Sequence, residues 1–461
     1  MAGIGFTLER MARGGSLTSV VGAYGHAVMV VAGPWIFTLI GLAGTSFVAC
    51  DAGCRDVQVF RSIIIYNSVF ALIASSPIVF VSTRFIADRI FMKRFESVMF
   101  TLAASLGVYF FVALIFAAPF YGLATTLSLP ETIASVQNLM LLGASWLMIP
   151  FLGTMRSANG IVGAFVLGAA AMILAAISVP DARPFYLLQS FNVGLALING
   201  VLLWLLTKQC GGRIVADPAL LTCARKYWEL PMIGLTYGLG VWSDKIIMWM
   251  FAPEEKMRVA GAIVTMPLYD TPMFLAQLAA LPVAAAFFIH AETEVLRLYR
   301  RLFDGIEGRA SLKELKASSA ALSQFIGSVT IFLFESLAAI ALLGVLISFV
   351  AVDTFNLQPN QTGILRNALF AMAFNTSAMF CVILLLYLDL RRVALLITTT
   401  YLLLNIALTA FFLPHGFRFY AYGAFLASIV EFAMAILFLR RELPWLLFHV
   451  FVTNNVSRAL R

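Results

Sequence analysis

The apolar positions of this chain come in long runs, and short polar gaps separate them. A helix that crosses a bilayer needs about 20 consecutive, mostly apolar residues. Twelve stretches meet that condition: 20–48, 62–83, 97–121, 132–153, 158–178 and 184–207, then 228–250, 259–289, 320–350, 361–388, 393–413 and 419–439. Backbone polar groups in hydrocarbon must be satisfied internally, so runs of this length are helices. The pattern therefore predicts an all-α polytopic membrane protein with twelve transmembrane helices. A polar segment at 208–227, with Gly211-Gly212 and Asp217-Pro218, divides them six and six. The expected organisation is an N-lobe over 1–207, a cytoplasmic linker over 208–227, a C-lobe over 228–440 and a tail over 441–461. A faint echo of Gly33-Pro34-Trp35 in Gly240-Val241-Trp242 fits two related lobes, a common transporter plan.

Four features break the monotony. In residues 1–19, Ile4, Leu8 and Met11 share one helical face, which predicts a short helix on the inner membrane surface rather than a cleavable signal. Pro34 in the first span removes a backbone bond and predicts a bend. The eighth span is long and carries Pro267, Pro272 and Pro282. Asp270-Thr271-Pro272 reads as a helix N-cap followed by proline. Either the helix is discontinuous and restarts near Asp270, or it is kinked and Asp270 caps its own backbone. The insertion at 290–319 carries Val295, Leu298, Leu302 and Ile306 at helical spacing among charged neighbours. That describes an amphipathic helix for a membrane surface or a partner, with Leu298 and Leu302 as docking candidates, or a connector on the protein's own underside.

Composition sharpens the class. The 461 residues are 61% hydrophobic and only 12% charged, far from a soluble domain. The net charge of +8 lies in short loops between spans, which excludes a nucleic-acid face. Most of the 31 lysines and arginines fall on one side if the N-terminus is inside. Arg55, Arg61, Arg183, Lys256, Arg258, Arg366 and Arg418 are left outside, and Lys245 lies in the membrane. By the positive-inside rule both termini are cytoplasmic. Cys50 and Cys54 share an outer loop, but spacing alone does not establish a bridge, and free thiols are expected.

The candidate chemistry sits inside the spans. Asp244 and Lys245 adjoin in the seventh, at an insertion cost of roughly 2.5–3.5 kcal/mol each. Intramembrane charges often mark a substrate or ion path, and the competing reading is a structural ion pair. Consecutive helical residues project about 100° apart, so each is expected to need its own partner or water. Glu335 and Glu431 are the remaining intramembrane acids, each a candidate proton carrier or counter-ion for Lys245. Asp270 belongs with them, and Asn375 in Phe374-Asn375-Thr376 offers hydrogen bonds. Trp35 and Trp242 lie deep enough to stack on a sugar; Trp204, Trp228, Trp249 and Trp445 fall where interface anchors sit. His26, His290, His415 and His449 are scattered, and no phosphate loop, metal-ligand spacing or nucleophile motif occurs. Neither an enzyme nor a cofactor is expected, so function rests on transport.

Lys226, Trp228-Glu229-Leu230, Tyr237-Gly238-Leu239-Gly240, Trp242 and Asp244-Lys245 carry a resemblance. So do Met1-Ala2-Gly3-Ile4-Gly5-Phe6, Gly33-Pro34-Trp35, His290-Ala291-Glu292-Thr293, Tyr299-Arg300-Arg301 and Phe374-Asn375. Nearly end to end, the chain resembles the PelG family of inner-membrane Pel exopolysaccharide transporters. It departs at Thr7-Leu8-Glu9-Arg10, where the family has a Glu-Leu-Arg run. The resemblance implies a fold like that of the multidrug and polysaccharide flippase superfamily (MATE, MOP). It also implies carriage of an N-acetylhexosamine-rich polymer from cytoplasm to periplasm for a biofilm matrix. The partners it implies are a cytoplasmic glycosyltransferase, a cyclic-di-GMP receptor and a tetratricopeptide-repeat membrane protein, besides the lipid bilayer. A lipid-linked oligosaccharide flippase and an ion-coupled multidrug antiporter remain alternatives.

Overall fold

The computed structural model describes residues 33–448 and 451, apart from 49–53, 93, 155–157, 180–182, 254–255 and 355–357. The surface helix expected in residues 1–19, the approach to Pro34 and the Cys50–Cys54 question lie outside the described residues. Ten helices there are long and apolar enough to cross a membrane. Two more complete the expected set. Helix α1 (Gly33–Val48) is the described part of the first span, and the seventh span is a 23-residue helix whose charges lower its hydropathy. Over the described residues each expected span is therefore helical, apart from the first residues of the eighth.

The chain forms two compact units, Met29–Asp270 and Thr271–Arg461. In the first, α1 is followed by α2 (Cys54–Phe91), α3 (Glu96–Pro119, ending in a π turn to Ala124), α4 (Leu129–Thr154), α5 (Ala158–Ile177) and α6 (Pro184–Cys210). Helix α7 (Ala219–Lys226) and the seventh span, α8 (Glu229–Phe251), close it. Helix α8 packs along α2, so packing groups it with the first unit although the polar linker precedes it. Gly234 makes that contact close, because a Cβ there would strike the Ser76–Pro77 backbone. Gly168 and Gly194 do the same for α5 against α6, as small residues at helix crossings should. Gly163 has open space instead.

Helix α2 has 38 residues and is about 57 Å long, well beyond a hydrocarbon core of about 30 Å. Its C-terminal end ties down the linker. Arg89 Nη2 donates to Asp217 Oδ1 at 3.0 Å, and Ser97 Oγ donates to Asp217 Oδ2 at 2.8 Å. Asp217 Oδ1 also accepts the Ala219 N–H that opens α7, at 3.1 Å. The linker is a docked segment, not a loose tether.

Residues 257–265, expected at the start of the eighth span, form a β-hairpin instead. Strands β1 (Met257–Ala260) and β2 (Ile263–Thr265) pair antiparallel around Gly261, whose φ of 61° suits glycine. The eighth span is α9 (Pro267–His290), and it continues through Pro272 and Pro282 without a break. The discontinuous helix does not occur. Pro267 takes the first helical position, where no intrahelical N–H is needed, so a restart at Pro272 has no role.

In the second unit α9 leads through a π turn to α10 (Leu296–Glu307), α11 (Leu312–Thr354), α12 (Pro359–Tyr387), α13 (Arg391–Phe412) and α14 (Tyr422–Glu442). Helices α12, α13 and α14 pack together, and α11 lies on α12. Gln358 and Gln361 form a reciprocal capping box at the start of α12. Phe334, Phe374, Phe425 and Phe432 fill the space between these helices, with Phe334 stacked on Phe432 at 4.7 Å. Helix α10 folds back on α11 and buries Leu302 completely, with Leu298 half-buried. The stripe offered as a docking face is thus spent largely on the protein's own helix, because burying it there removes it from water at once.

Candidate functional site

Helix α8 places its two charges deep in the first unit. Asp244 and Lys245 are 1% and 4% exposed. Lys245 lies sixteen residues past Glu229, the first residue of the helix, about 24 Å along the axis and in its far half. Contrary to expectation, the neighbours pair directly: Lys245 Nζ is 3.2 Å from Asp244 Oδ2 and 3.3 Å from Oδ1. The four-carbon stem of lysine lets the ammonium turn back toward the preceding turn, where it also donates to the Val241 carbonyl at 3.2 Å. The Tyr269 hydroxyl donates to Asp244 Oδ2 at 2.7 Å. The ammonium lies 5.3 Å from the centroid of the Trp242 ring. Lys245 therefore finds its carboxylate within its own helix and needs neither Glu335 nor Glu431 for neutrality.

A second cluster adjoins it through the same helix. Trp249 Nε1 donates to both oxygens of Asp270 at 3.0 Å, and the Met266 N–H donates to Asp270 Oδ2 at 2.9 Å. Asp270 thus caps the backbone of its own helix and is held by an indole. Trp249, expected as an interface anchor, is 5% exposed and stacks on Tyr66 at 4.9 Å. Trp204, Trp228 and Trp445 are exposed. The Tyr66 hydroxyl donates to the Val264 carbonyl at 2.7 Å and accepts the Val264 N–H at 3.0 Å. The hairpin, Asp270 and the charge pair of α8 are linked through Trp249. Trp242 Nε1 is buried with no acceptor among the described residues, and Trp35 sits half-buried on α1.

In the second unit Asn375 and Glu431 meet: Asn375 Nδ2 donates to Glu431 Oε2 at 2.9 Å. Glu335 is exposed on α11 and belongs to no buried cluster. The structure thus brings Asp244 together with Lys245, and Asn375 with Glu431. Among the described residues no group of three His, Cys, Asp or Glu is placed to hold a metal ion.

Sequence reasoning missed a buried amide network in the first unit. Asn67 Nδ2 donates to Asn138 Oδ1 and to the Ser135 carbonyl, both at 2.9 Å, and the Tyr121 hydroxyl donates to Asn67 Oδ1 at 2.6 Å. Asn138 Nδ2 donates to Asn192 Oδ1 at 2.8 Å, and Ser145 Oγ donates to Asn199 Oδ1 at 3.2 Å. A signal existed. Asn138 and Ser145 on α4, and Asn192 and Asn199 on α6, share one heptad spacing, so the two polar rows meet when the helices pack.

A family model described as "PelG: Putative exopolysaccharide Exporter (EPS-E)" matches residues 1–451. No curated protein matches the chain by sequence. Among solved structures it is similar to MATE in the straight conformation, with a TM-score of 0.63 and 12% identity, over 91% of this chain and 96% of that one. An outward-facing multidrug resistance MATE family transporter of the MOP superfamily gives 0.62 and 13%, over 91% and 96%. An inward-facing transporter of that description gives 0.56 and 14%, over 91% and 98%. At such identities the likeness is one of fold, and the fold is the MATE-like one.

Proposed function

This chain belongs to the PelG family of exopolysaccharide exporters, and from that premise we propose that it carries a Pel-type, N-acetylhexosamine-rich polymer outward. In this reading it sits in a bacterial inner membrane with both termini cytoplasmic and takes the polymer from a cytoplasmic synthase for a biofilm matrix. The implied partners are the glycosyltransferase, a cyclic-di-GMP receptor and a tetratricopeptide-repeat membrane protein. The observation that carries the reading is the match of the exporter family over residues 1–451, joined to spans too apolar for any soluble catalytic domain.

We assign the polar station of the path to Asp244 and Lys245. A hydroxyl-rich chain needs donors and acceptors in an otherwise apolar passage, and charged groups form the stronger hydrogen bonds. The pair is closed on itself here, with Tyr269 on the carboxylate, so a passing polymer has to draw it open. Asp244→Asn and Lys245→Met test this in cells that make the polymer. Each variant is expected to insert at normal abundance and to secrete little polymer. If the pair is structural, each single variant loses abundance instead, because an unpaired buried charge costs about 3–5 kcal/mol. Normal secretion by both abundant variants sinks the assignment.

A further inference from the structure

Glu431 lies in the middle of α14 and has no exposure. Its Oε2 accepts the Asn375 amide, and its Oε1 is buried with no hydrogen-bond partner among the described residues. Among the described residues no cation stands near enough to pair with it. On α14 itself the next basic residue is Arg440, nine residues on and about 14 Å along the helix. From α12, the groups in the same interior are Asn375 and the Cys381 thiol, and Arg366 is held at the far end by Ser348 and the Phe349 ring. Helix α13 offers the buried Thr398, Tyr401 and Asn405, with Arg391 and Arg392 confined to its first turn. Helix α11 contributes Phe334, stacked on Phe432, while its Glu335 is exposed.

A carboxylate at this depth with no counter-ion costs several kcal/mol, and binding a proton removes that cost. A metal ion does not suit the place. It would ask for several oxygen ligands, and the sequence neighbours Phe374 and Phe432 pack on each other at 5.9 Å. We propose that the Asn375–Glu431 pair is the proton site of this exporter, and that outward movement of polymer is exchanged for inward movement of protons. In each cycle one O–H bond forms on the Glu431 carboxylate with a proton from periplasmic water. That bond breaks again when the proton passes to cytoplasmic water. The inference rests on the export reading and adds its energy source.

Glu431→Gln separates this from a structural role, because glutamine has the size and neutrality of the protonated acid but cannot release a proton. In cells, the variant is expected at normal abundance, with secretion reduced to the level of a strain lacking the protein. Secretion at the parent level overturns the proposal. In parallel, pH-titrated infrared spectra of the purified full chain in lipid nanodiscs should show a protonated-carboxyl band that disappears on deprotonation. The band should be absent in Glu431→Gln, shifted in midpoint in Asn375→Ala and unchanged in Glu335→Gln. A Glu431 band that does not titrate, or none at all, overturns the proposal even if Glu431→Gln proves unstable in cells. Failure of the export reading has its own signature: deletion of the whole chain then leaves secretion intact, and the infrared arm alone decides the proton site.

Discussion

At the scale of single residues, the hydrogen-bond partners decide which polar groups matter. Tyr66 is the clearest case, since one hydroxyl serves both the N–H and the carbonyl of Val264. Tyr66→Phe leaves two backbone groups of the hairpin without that partner, a cost of about 1–3 kcal/mol for each group left unsatisfied. The expected outcome is faster hydrogen exchange in residues 257–265 at unchanged protein abundance. His290 offers a pH test at the C-terminal end of α9, two residues past its apolar stretch Pro267–Phe288. Burial pushes its imidazole below the ordinary histidine value of 6.5, with Glu294 opposing, and its ring meets Phe332 edge-on at 5.9 Å. A depressed folded value means that the unfolded chain binds more protons. The contribution of this ring is therefore present above about 6.5 and is lost as pH falls below it. The thermal midpoint of purified protein should drop more on acidification for the parent than for His290→Asn. An equal drop in both removes His290 as the cause.

Among the elements, α10 shows how packing decides between the two surfaces that an amphipathic pattern leaves open. The stripe exists, but Leu302 is fully buried within the second unit and Leu315 of α11 is nearly so. Leu302→Ala is expected to cost about 2–5 kcal/mol, as large-to-small core changes do. Leu298→Ala, at a half-buried position, should cost less. Detergent melting curves compare the two, and equal, small effects contradict the packing. Arg300, Arg301, Asp304 and Glu307 remain exposed on α10. The hairpin carried a readable signal, with Gly261 between Arg258-Val259-Ala260 and Ile263-Val264-Thr265. It was absorbed into an apolar run because hydropathy does not separate a short β-ribbon from the start of a membrane helix.

For the whole molecule, the prediction concerns topology. The basic residues gather on one side of the expected spans, which places the hairpin outside and α10 inside. In a background without native cysteines, an impermeant thiol reagent added to intact spheroplasts should label Arg258→Cys and spare Arg301→Cys until the membrane is permeabilised. The reverse pattern inverts the orientation and moves the charge pair of α8 to the inner half. Packing at this scale groups α8 with the first unit, whereas the polar linker suggests a boundary before it. Loop polarity reports where the chain meets water. Helix contacts such as Gly234 against the Ser76–Pro77 backbone report what it packs on.

The residue order alone determined the class, because hydrocarbon accepts only closed backbone hydrogen bonding and twelve apolar runs leave no other solution. It also marked Asp244, Lys245 and Glu431 as costly and therefore worth explaining. Which groups satisfy them was a tertiary decision. Lysine is long enough to reach its own neighbour, so helical projection angles did not forbid the Asp244–Lys245 pair. Asn375 and Glu431 lie on different helices, and only the packing of α12 against α14 brings them to 2.9 Å. The Asn67, Asn138 and Asn192 network arises in the same way from α2, α4 and α6. A hydrogen bond fixes atoms within a few tenths of an ångström, and a hydropathy pattern carries no information at that resolution.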